Sequence, residues 1–262
     1  MSEAAEAKAL SKTWFYPFRL PSGAVTPTYD GGALDAIHYT RRNMLDHALA
    51  ALFPGERGDL RALDLACHQG YFACHLAQSG FGEVVGTDAR VEHIEDARFM
   101  SGLLGLQERL RFLPMDVHEA TPERLGGSFD LVLCFGLIYH LENPVGALRS
   151  ARALTRRALL IETQLVPGLS GMVDYGSYRF VRPLKGSFGL IDETEETHGP
   201  EASTTGICLV PSREALLWIL ERLGFARIEI LPPPEDAYEQ LRFGKRIMVL
   251  AELSPPGGER LG

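Results

Sequence analysis

The sequence has 262 residues, of which 45% are hydrophobic and 23% charged, a composition typical of a globular protein with a large core. Its formal charge of −8 makes the chain as a whole a poor match for polyanions, although a local basic face remains compatible with it. No stretch approaches the ~18 apolar residues of a membrane helix, and MSEAAEAKALSK lacks the apolar core of a signal peptide. We therefore expect a cytoplasmic protein with no membrane partner.

The four cysteines are Cys67, Cys74, Cys134 and Cys208, and none of them forms a C-x-x-C pair. Three fall within patterned apolar segments, where cysteine behaves as a small hydrophobic residue. This spacing indicates neither a disulfide framework nor a zinc site, and no metal is expected.

The first 33 residues are predicted to form an irregular arm, because WFYPFRLPSGAVTPTYDGG mixes aromatic residues with proline and glycine. Helical periodicity then predicts a helix over 34–53, which Pro54-Gly55 ends. Strands follow at 61–66, 83–88, 109–116, 129–136 and 158–163, with helices at 70–79, 91–104 and 144–154 between them. This alternation predicts an α/β fold, a mostly parallel sheet with helices on both faces.

The pattern breaks over 166–209, where glycine, serine, threonine and acids prevail, and we expect a lid-like insertion there. Its acidic run DETEETHGPE (192–201) is interpreted as a solvated face. A helix is predicted over 211–225, with Ser212 as its N-cap. Strands 226–231 and 246–253 bring the predicted sheet to seven strands. The predicted organisation is an arm (1–33), one domain (34–253) with the insertion, and a frayed tail (254–262).

The segment LDLACHQGYF (63–72) places a loop between the first strand and the first helix of this sheet. Asp64 lies near the end of that strand, and Asp88 ends the next strand, where a carboxylate can bind ribose hydroxyls. A dinucleotide site requires G-x-G-x-x-G for close approach to a pyrophosphate, but this loop has Ala66, His68 and Gly70. S-adenosylmethionine (SAM) fits better, because it has no phosphate and its cationic groups favour nearby acids.

These segments together resemble the motifs of class I SAM-dependent methyltransferases, which have a Rossmann-like fold. LDLACHQGYF resembles the first motif, with Ala66 and His68 where two of the usual glycines stand; VVGTDAR, FLPMDVHEA and FDLVLCFGLIYHLENP resemble the next three. The resemblance implies SAM as the cofactor, Asp88 on its ribose, and Asp116 and Val117 on its adenine. The cofactor-binding residues that we expect are Asp64, Ala66, His68, Gly70, Asp88, Ala89, Asp116, Val117 and Phe135.

A narrower resemblance links GLIYHLENPVGAL, LLIETQLV, LVPSREALLWILERLGF and GKRIMVLAEL to the tRNA wobble-uridine methyltransferases and carboxymethyltransferases. In that group a tyrosine and an arginine contact the carboxylate of the donor, and the matching positions here are Tyr139 and Arg246. The group's upstream lysine has no clear match in WFYPFRLPSGAV, and the 166–209 insertion has no counterpart.

Tyr139 and His140 follow the fourth strand, on the loop that faces the methyl group in this fold. His140 is the first candidate for a general base, because an imidazole titrates near neutrality; the alternative is that it only shapes the loop. Tyr139 is expected to orient the donor or the acceptor. His68 could contact the substrate or only fill the space of the absent glycine.

Aromatic and basic residues occur together in WFYPF and DYGSYRFVRPLKGSF, and from these segments Tyr16 and Tyr178 join Tyr139 and Arg246 as expected substrate-binding residues. Such residues would stack RNA bases or wall a small apolar pocket; the alternative is ordinary packing of the arm and insertion.

Three functions remain open from the sequence. The first is methyl transfer from SAM to an oxygen or nitrogen atom of a small-molecule acceptor, which the acidic charge and the insertion favour. The second is modification of the tRNA wobble uridine, and the third is SAM binding without catalysis. A homo-oligomer is compatible with each of them.

Overall fold

The computed structural model describes residues 3–29, 31–173, 176, 182–193, 203 and 205–254. The strands in chain order are β1 (Arg61–Leu65), β2 (Glu83–Asp88), β3 (Leu110–Pro114), β4 (Phe129–Phe135), β5 (Thr155–Gln164), β6 (Met172–Val173), β7 (Arg182–Pro183), β8 (Phe188–Asp192), β9 (Ile207–Pro211), β10 (Arg227–Leu231) and β11 (Arg246–Glu252). The α-helices are α1 (Glu3–Ser11), α2 (Asp35–Leu52), α3 (Tyr71–Gln78), α4 (Val91–Leu103), α5 (Pro122–Leu125), α6 (Pro144–Leu154), α7 (Arg213–Arg222) and α8 (Glu239–Arg242).

Seven strands form one sheet in the order β10-β11-β5-β4-β1-β2-β3, which confirms the predicted seven-stranded α/β architecture. Strands β1 to β5 pair in parallel, and β11 enters antiparallel between β10 and β5. The order in which strands are added to the sheet reverses between β1 and β4: β1 pairs in parallel with β2 on one side and with β4 on the other. Ligands bind outside the carboxyl ends of the strands at such a switch point.

The sheet is buried on both faces, as the continuous apolar run of β4 predicts. Leu131 and Leu133 pack with residues of α2, α3 and α4, whereas Val132 and Cys134 pack with residues of α6 and α7 on the opposite face. Alternate side chains of one strand therefore contribute to two hydrophobic cores.

The prediction of an irregular arm is wrong for its first part, because Glu3–Ser11 form α1. The segment EAAEAKALS consists largely of strong helix formers, and the prolines that prevent a helix begin only at Pro17. Trp14 then attaches the arm to the domain: it is fully buried, and its ring stacks on Phe99 of α4 with centroids 6.3 Å apart. Its Nε1 also donates a 2.8 Å hydrogen bond to the carbonyl of Ala9 in α1.

The insertion contributes the antiparallel pairs β6–β7 and β8–β9, which lie outside the main sheet. It rejoins the domain at α7, where the Ser212 hydroxyl accepts a hydrogen bond from the Ala215 amide, so the predicted N-cap is confirmed. Of the predicted tail, residues 255–262 lie outside the described residues. No helix within the described ranges combines the length and hydropathy that a membrane crossing requires.

Candidate functional site

A cleft opens at the carboxyl ends of β1, β2 and β4, at the switch point of the sheet. It is lined by Ala66, His68, Asp88, Ala89, Arg90, Met115, Asp116, Val117, Gly136, Leu137, His140, Leu141 and Ser203. The structure thus brings together most of the residues that the sequence nominates for cofactor binding and adds His140 to the same cavity. Ser203 extends the lining into the 166–209 insertion.

The loop after β1 adopts a glycine-like backbone at two positions that are not glycine. Ala66 has φ = 56° and His68 has φ = 51°, both in the left-handed region. These are the positions at which the resembling family has glycines, so the loop conformation persists without them. A Cβ in this region costs roughly 1–2 kcal/mol per residue, and such strain concentrates at ligand sites.

Gly70, in contrast, is required by packing. It has φ = 81°, and a Cβ built on it would lie 2.7 Å from the ring of Phe112 and 2.9 Å from the Cβ of Ala97. Its role in the structure is to let the start of α3 lie close against β3 and α4. Gly70 does not itself line the cleft as described above, and its predicted contact with a cofactor stays a prediction.

Asp88 is held as an acceptor on the cleft wall. Its Oδ2 accepts the His68 amide at 2.9 Å, and its Oδ1 accepts the Arg90 amide at 2.9 Å and lies 3.3 Å from His93 Nδ1. Burial opposes ionisation, but His93 and the Arg90 amide outweigh it and lower the pKa of Asp88. Two carboxylate oxygens offer about four lone-pair sites, and these contacts use three of them, so Oδ2 keeps capacity for one ribose hydroxyl.

Asp64 supplies the direct test of whether SAM fits this site. It is 2% exposed, and its Oδ2 has no hydrogen-bond partner among the described residues. Burial raises its pKa to about 8; the Ala73 amide opposes this shift and the charge of Asp88 adds to it. At neutral pH this carboxyl is therefore largely protonated. A cationic ligand group beside it would favour its ionisation and then be attracted to the carboxylate, whereas a phosphate would oppose its ionisation. The residues present therefore fit SAM.

Asp116 and Val117 form the far wall of the cleft. The Asp116 carboxylate accepts the His118 amide at 2.8 Å, and its Oδ1 also lies 2.8 Å from His118 Nδ1. Val117 presents a largely buried apolar side chain beside it. A polar edge next to an apolar face suits a heteroaromatic ring, as the resemblance implies for adenine.

His140 pairs with an acid from the insertion. Its Nδ1 lies 2.6 Å from Oε2 of Glu193, which is 3% exposed. The same oxygen accepts the Ser203 amide at 3.0 Å and the Cys208 thiol at 3.3 Å. The interpretation of residues 192–201 as a solvated face is therefore wrong for Glu193, because these donors stabilise its carboxylate in the interior.

Tyr139 and Arg246 also meet, although they lie 107 positions apart in the chain. Arg246 donates to the Tyr139 hydroxyl from Nη2 at 3.1 Å and from Nη1 at 3.2 Å. Nη1 also lies 3.1 Å from Glu162 Oε1, and Arg41 Nη2 lies 2.6 Å from the other oxygen of Glu162. This buried group sits directly behind the cleft, since a Cβ on Gly136 would be 3.3 Å from Arg41 Nη2.

Two further residues predicted to bind cofactor or substrate, Phe135 and Tyr16, lie in the hydrophobic core. Phe135 packs edge-to-face against Phe72 in the core, with ring centroids 5.1 Å apart. Tyr16 is buried and stacks on Tyr71 at 5.0 Å, within an aromatic cluster of the arm and α3. Tyr178 lies outside the described residues. Binding roles for these three residues stay predictions.

Three residues of the site were not anticipated: Glu193, Glu162 and Arg41. Glu162 had a usable signal, because a carboxylate within the apolar run ALLIET requires a buried partner. Its partner Arg41 lies on α2, and no spacing rule connects the two positions. Glu193 had no distinguishing signal within an acidic run.

Comparison with known proteins places this site in a family. The family model described as "Methyltransferase domain" matches residues 37–230. Two similar curated proteins are tRNA U34 carboxymethyltransferases: that of Idiomarina loihiensis is 29% identical over 70% of this chain, and that of Helicobacter pylori (strain G27) is 24% identical over 64%. The chain spans 50% and 57% of their lengths, about half of each relative.

Solved structures show the same fold. The N-terminal domain of EvdMO1, solved with SAH bound, superposes with a TM-score of 0.69 at 23% identity and covers 97% of this chain and 98% of that chain. Magnesium protoporphyrin IX methyltransferase from Synechocystis PCC 6803, solved with SAM, has a TM-score of 0.53 at 18% identity, with 84% and 83% covered. With a family match over residues 37–230, the chain belongs to the methyltransferase domain family, and its sheet order and these structures show the Rossmann-like fold of class I SAM-dependent methyltransferases.

Proposed function

We propose that this protein transfers a methyl group from SAM to an oxygen or nitrogen atom of a small-molecule acceptor. The observation that carries the proposal is the position of the insertion. Ser203 lines the same cleft as Asp88, and the Leu209 amide of β9 donates to the Leu141 carbonyl at 2.9 Å. The insertion thereby walls the end of the cleft beside His140, which favours an acceptor small enough to be enclosed.

In such a reaction, different residues of the site would bind different parts of SAM. Asp88 would hold the ribose, and Asp116 and Val117 the adenine. The buried carboxyl of Asp64 would ionise when the cationic end of SAM lies beside it, and the carboxylate would then attract that end. SAM supplies an electrophilic methyl group. The protein's contribution is to orient the acceptor in line with that group and to exclude water, which the insertion and the apolar side chains of Leu137 and Leu141 support.

The second candidate is carboxymethyl transfer to the tRNA wobble uridine. The contact between Tyr139 and Arg246 favours it, because these positions match the donor-carboxylate site of the resembling group. However, Arg246 already donates to Gln240 through Nε and to Glu162 and Tyr139 through its other nitrogens. A donor carboxylate would have to compete with Glu162 for this guanidinium, which favours the uncarboxylated donor.

Calorimetric titration with SAM tests the first candidate. We expect micromolar affinity, about −8 kcal/mol, for the unchanged protein. Asp88→Ala should weaken binding at least tenfold, about 1.4 kcal/mol, because it removes the ribose acceptor. Asp59→Ala changes an exposed acid on the loop before β1 and serves as the matched control that binds normally. A protein that binds no SAM would contradict the proposal.

Titration with carboxy-SAM and with tRNA separates the two candidates. Small-molecule methyl transfer predicts tighter binding of SAM than of carboxy-SAM and no tRNA binding at low salt. The tRNA candidate predicts the reverse preference, together with tRNA binding that weakens steeply as salt rises. SAM binding with no SAH formation from any acceptor class would favour a non-catalytic protein.

A further inference from the structure

We propose that Glu193 is a positioning residue that holds His140 as the general base for a hydroxyl acceptor. The inference rests on the proposed function and deepens it, because it selects oxygen over nitrogen as the acceptor atom. It also assigns a chemical role to the insertion, because the β8–β9 hairpin places Glu193 against His140, which lies 53 positions earlier in the chain.

The position of Glu193 is determined by several contacts. Its backbone amide donates to the Gly206 carbonyl at 2.9 Å, which fixes the residue at the end of the β8–β9 hairpin. Its Oε2 accepts the Ser203 amide and the Cys208 thiol in addition to the 2.6 Å contact with His140. Burial first, and then the bond to Glu193, raise the pKa of Cys208 to about 11, so this thiol remains a donor near neutral pH.

This arrangement selects one tautomer of His140. A carboxylate is an acceptor only, so the Nδ1 atom that faces it carries the proton, and the lone pair of the neutral ring is then on Nε2. His140 lines the cleft, whereas Glu193 is buried and is not among the lining residues given above. The pair therefore has the order carboxylate, imidazole, cleft, which is the arrangement by which an acid orients a histidine base.

The chemistry that needs such a base is transfer to a hydroxyl. A neutral amine attacks through its own lone pair, whereas an alcohol or phenol has to lose its proton as it reacts. The acceptor oxygen forms a bond to the methyl carbon, the carbon–sulfur bond breaks with its electron pair on sulfur, and the hydroxyl proton moves to Nε2 of His140. One positive charge leaves the sulfonium and one appears on the imidazolium, beside the Glu193 carboxylate.

Nitrogen-15 NMR of the histidine-labelled protein, recorded without ligand and again with the demethylated product S-adenosylhomocysteine (SAH), tests the pairing directly. We expect His140 to be protonated on Nδ1 in the unchanged protein, to lose this preference in Glu193→Ala, and to keep it in Asp192→Asn. Asp192 is the adjacent exposed acid of β8, so its variant makes the same charge change without touching His140. A tautomer that is the same in the unchanged protein and in Glu193→Ala would overturn the proposal.

Kinetics with alcohol and phenol acceptors test the role of the pair. Glu193→Gln preserves size, and we expect kcat for SAH formation to fall about 10- to 100-fold with little change in KM or SAM affinity. An unchanged kcat would overturn the assignment. Failure of the unchanged protein to bind SAM would remove the proposed function instead, and the NMR result would still decide whether Glu193 positions His140.

Discussion

Arg41 on α2 and Glu162 on β5 form a buried ion pair, with Nη2 and Oε2 2.6 Å apart. Arg246 binds the other side of Glu162, so two guanidiniums share one carboxylate in the interior. Burial opposes ionisation of Glu162, but the two arginines outweigh it and lower the pKa of this carboxyl. The Glu162 carboxylate therefore supplies the negative charge that offsets the burial of two guanidiniums directly behind the cleft.

Replacing Glu162 by glutamine should destabilise the protein severely. Glu162→Gln leaves Arg41 and Arg246 buried without a countercharge, and breaking a buried pair in this way costs about 3–5 kcal/mol. The free energy of unfolding, measured by urea titration near neutral pH, gives the value. Glu221→Gln, an exposed acid on α7, is the matched control and should change stability by no more than about 0.5 kcal/mol.

A second substitution checks the reason for the loss. Adding Arg41→Gln to Glu162→Gln removes one of the two uncompensated cations, so the double variant should be more stable than the sum of the two single effects predicts. Strict additivity would show that the three groups do not act as one electrostatic unit.

Asp64 should make stability fall as pH rises toward 8. Its folded pKa of about 8 exceeds the unfolded value near 3.9, so the folded state holds the extra proton between these values. Stability is therefore greatest below about pH 4 for this group and declines by about 1.4 kcal/mol per pH unit up to about pH 8. Asp64→Asn removes this contribution and should be increasingly more stable than the unchanged protein from about pH 5 to 8.

The measurement is the difference in unfolding free energy between the two proteins at several pH values, in which other titrating groups cancel. Asp59→Asn, on the exposed loop before β1, is the control and should follow the unchanged protein. A difference that stays constant over this range would mean that Asp64 ionises normally in the fold.

The sequence was sufficient for the sheet because local signals agree with the tertiary structure there. The predicted bounds of β2 and α6 coincide with the observed ones, whereas β1 differs by one residue at one end and α2 by one residue at each end. Strands β6 to β9 were not predicted. Strands β6 and β7 have two residues each, and β8 is largely exposed, so none of these three shows the alternating burial of a half-buried strand. Helix α1 was missed because the prolines of the following segment dominated the interpretation of the arm.

Some residues of the site also follow from local sequence order, whereas other contacts of the site do not. Asp64, Ala66, His68 and Asp88 follow from the order strand, loop, helix, since parallel strands end at one edge of the sheet. The approach of Tyr139 to Arg246 was expected only from the family resemblance. The pairing of His140 with Glu193 depends on how an insertion folds back over the loop after β4, and no local pattern encodes that contact.

Gly70 should tolerate no side chain. Gly70→Ala places a Cβ in the left-handed region and within 2.7 Å of the Phe112 ring, so strain and overlap add. We expect a loss of about 2–4 kcal/mol in unfolding free energy. Gly102→Ala is the opposite case, because this glycine is exposed within α4 and nothing lies within 4 Å of its Cβ position. It should gain about 0.5–1 kcal/mol from higher helix propensity, and equal effects at both sites would contradict the packing explanation.

Ala66 should be one of the few alanines that glycine can replace without loss. Its φ of 56° costs roughly 1–2 kcal/mol in an L-residue, and Ala66→Gly relieves this strain. Glycine also raises the conformational entropy of the unfolded chain, which lowers the free energy of unfolding by about 0.4–1 kcal/mol. The net change is therefore a gain of about 0.5 kcal/mol in unfolding free energy. Ala50→Gly, exposed within α2, carries the entropy cost without the relief and should lose about 0.5–1 kcal/mol. Opposite signs in urea unfolding would show that the loop stores strain, whereas equal losses would mean that its left-handed backbone costs alanine nothing.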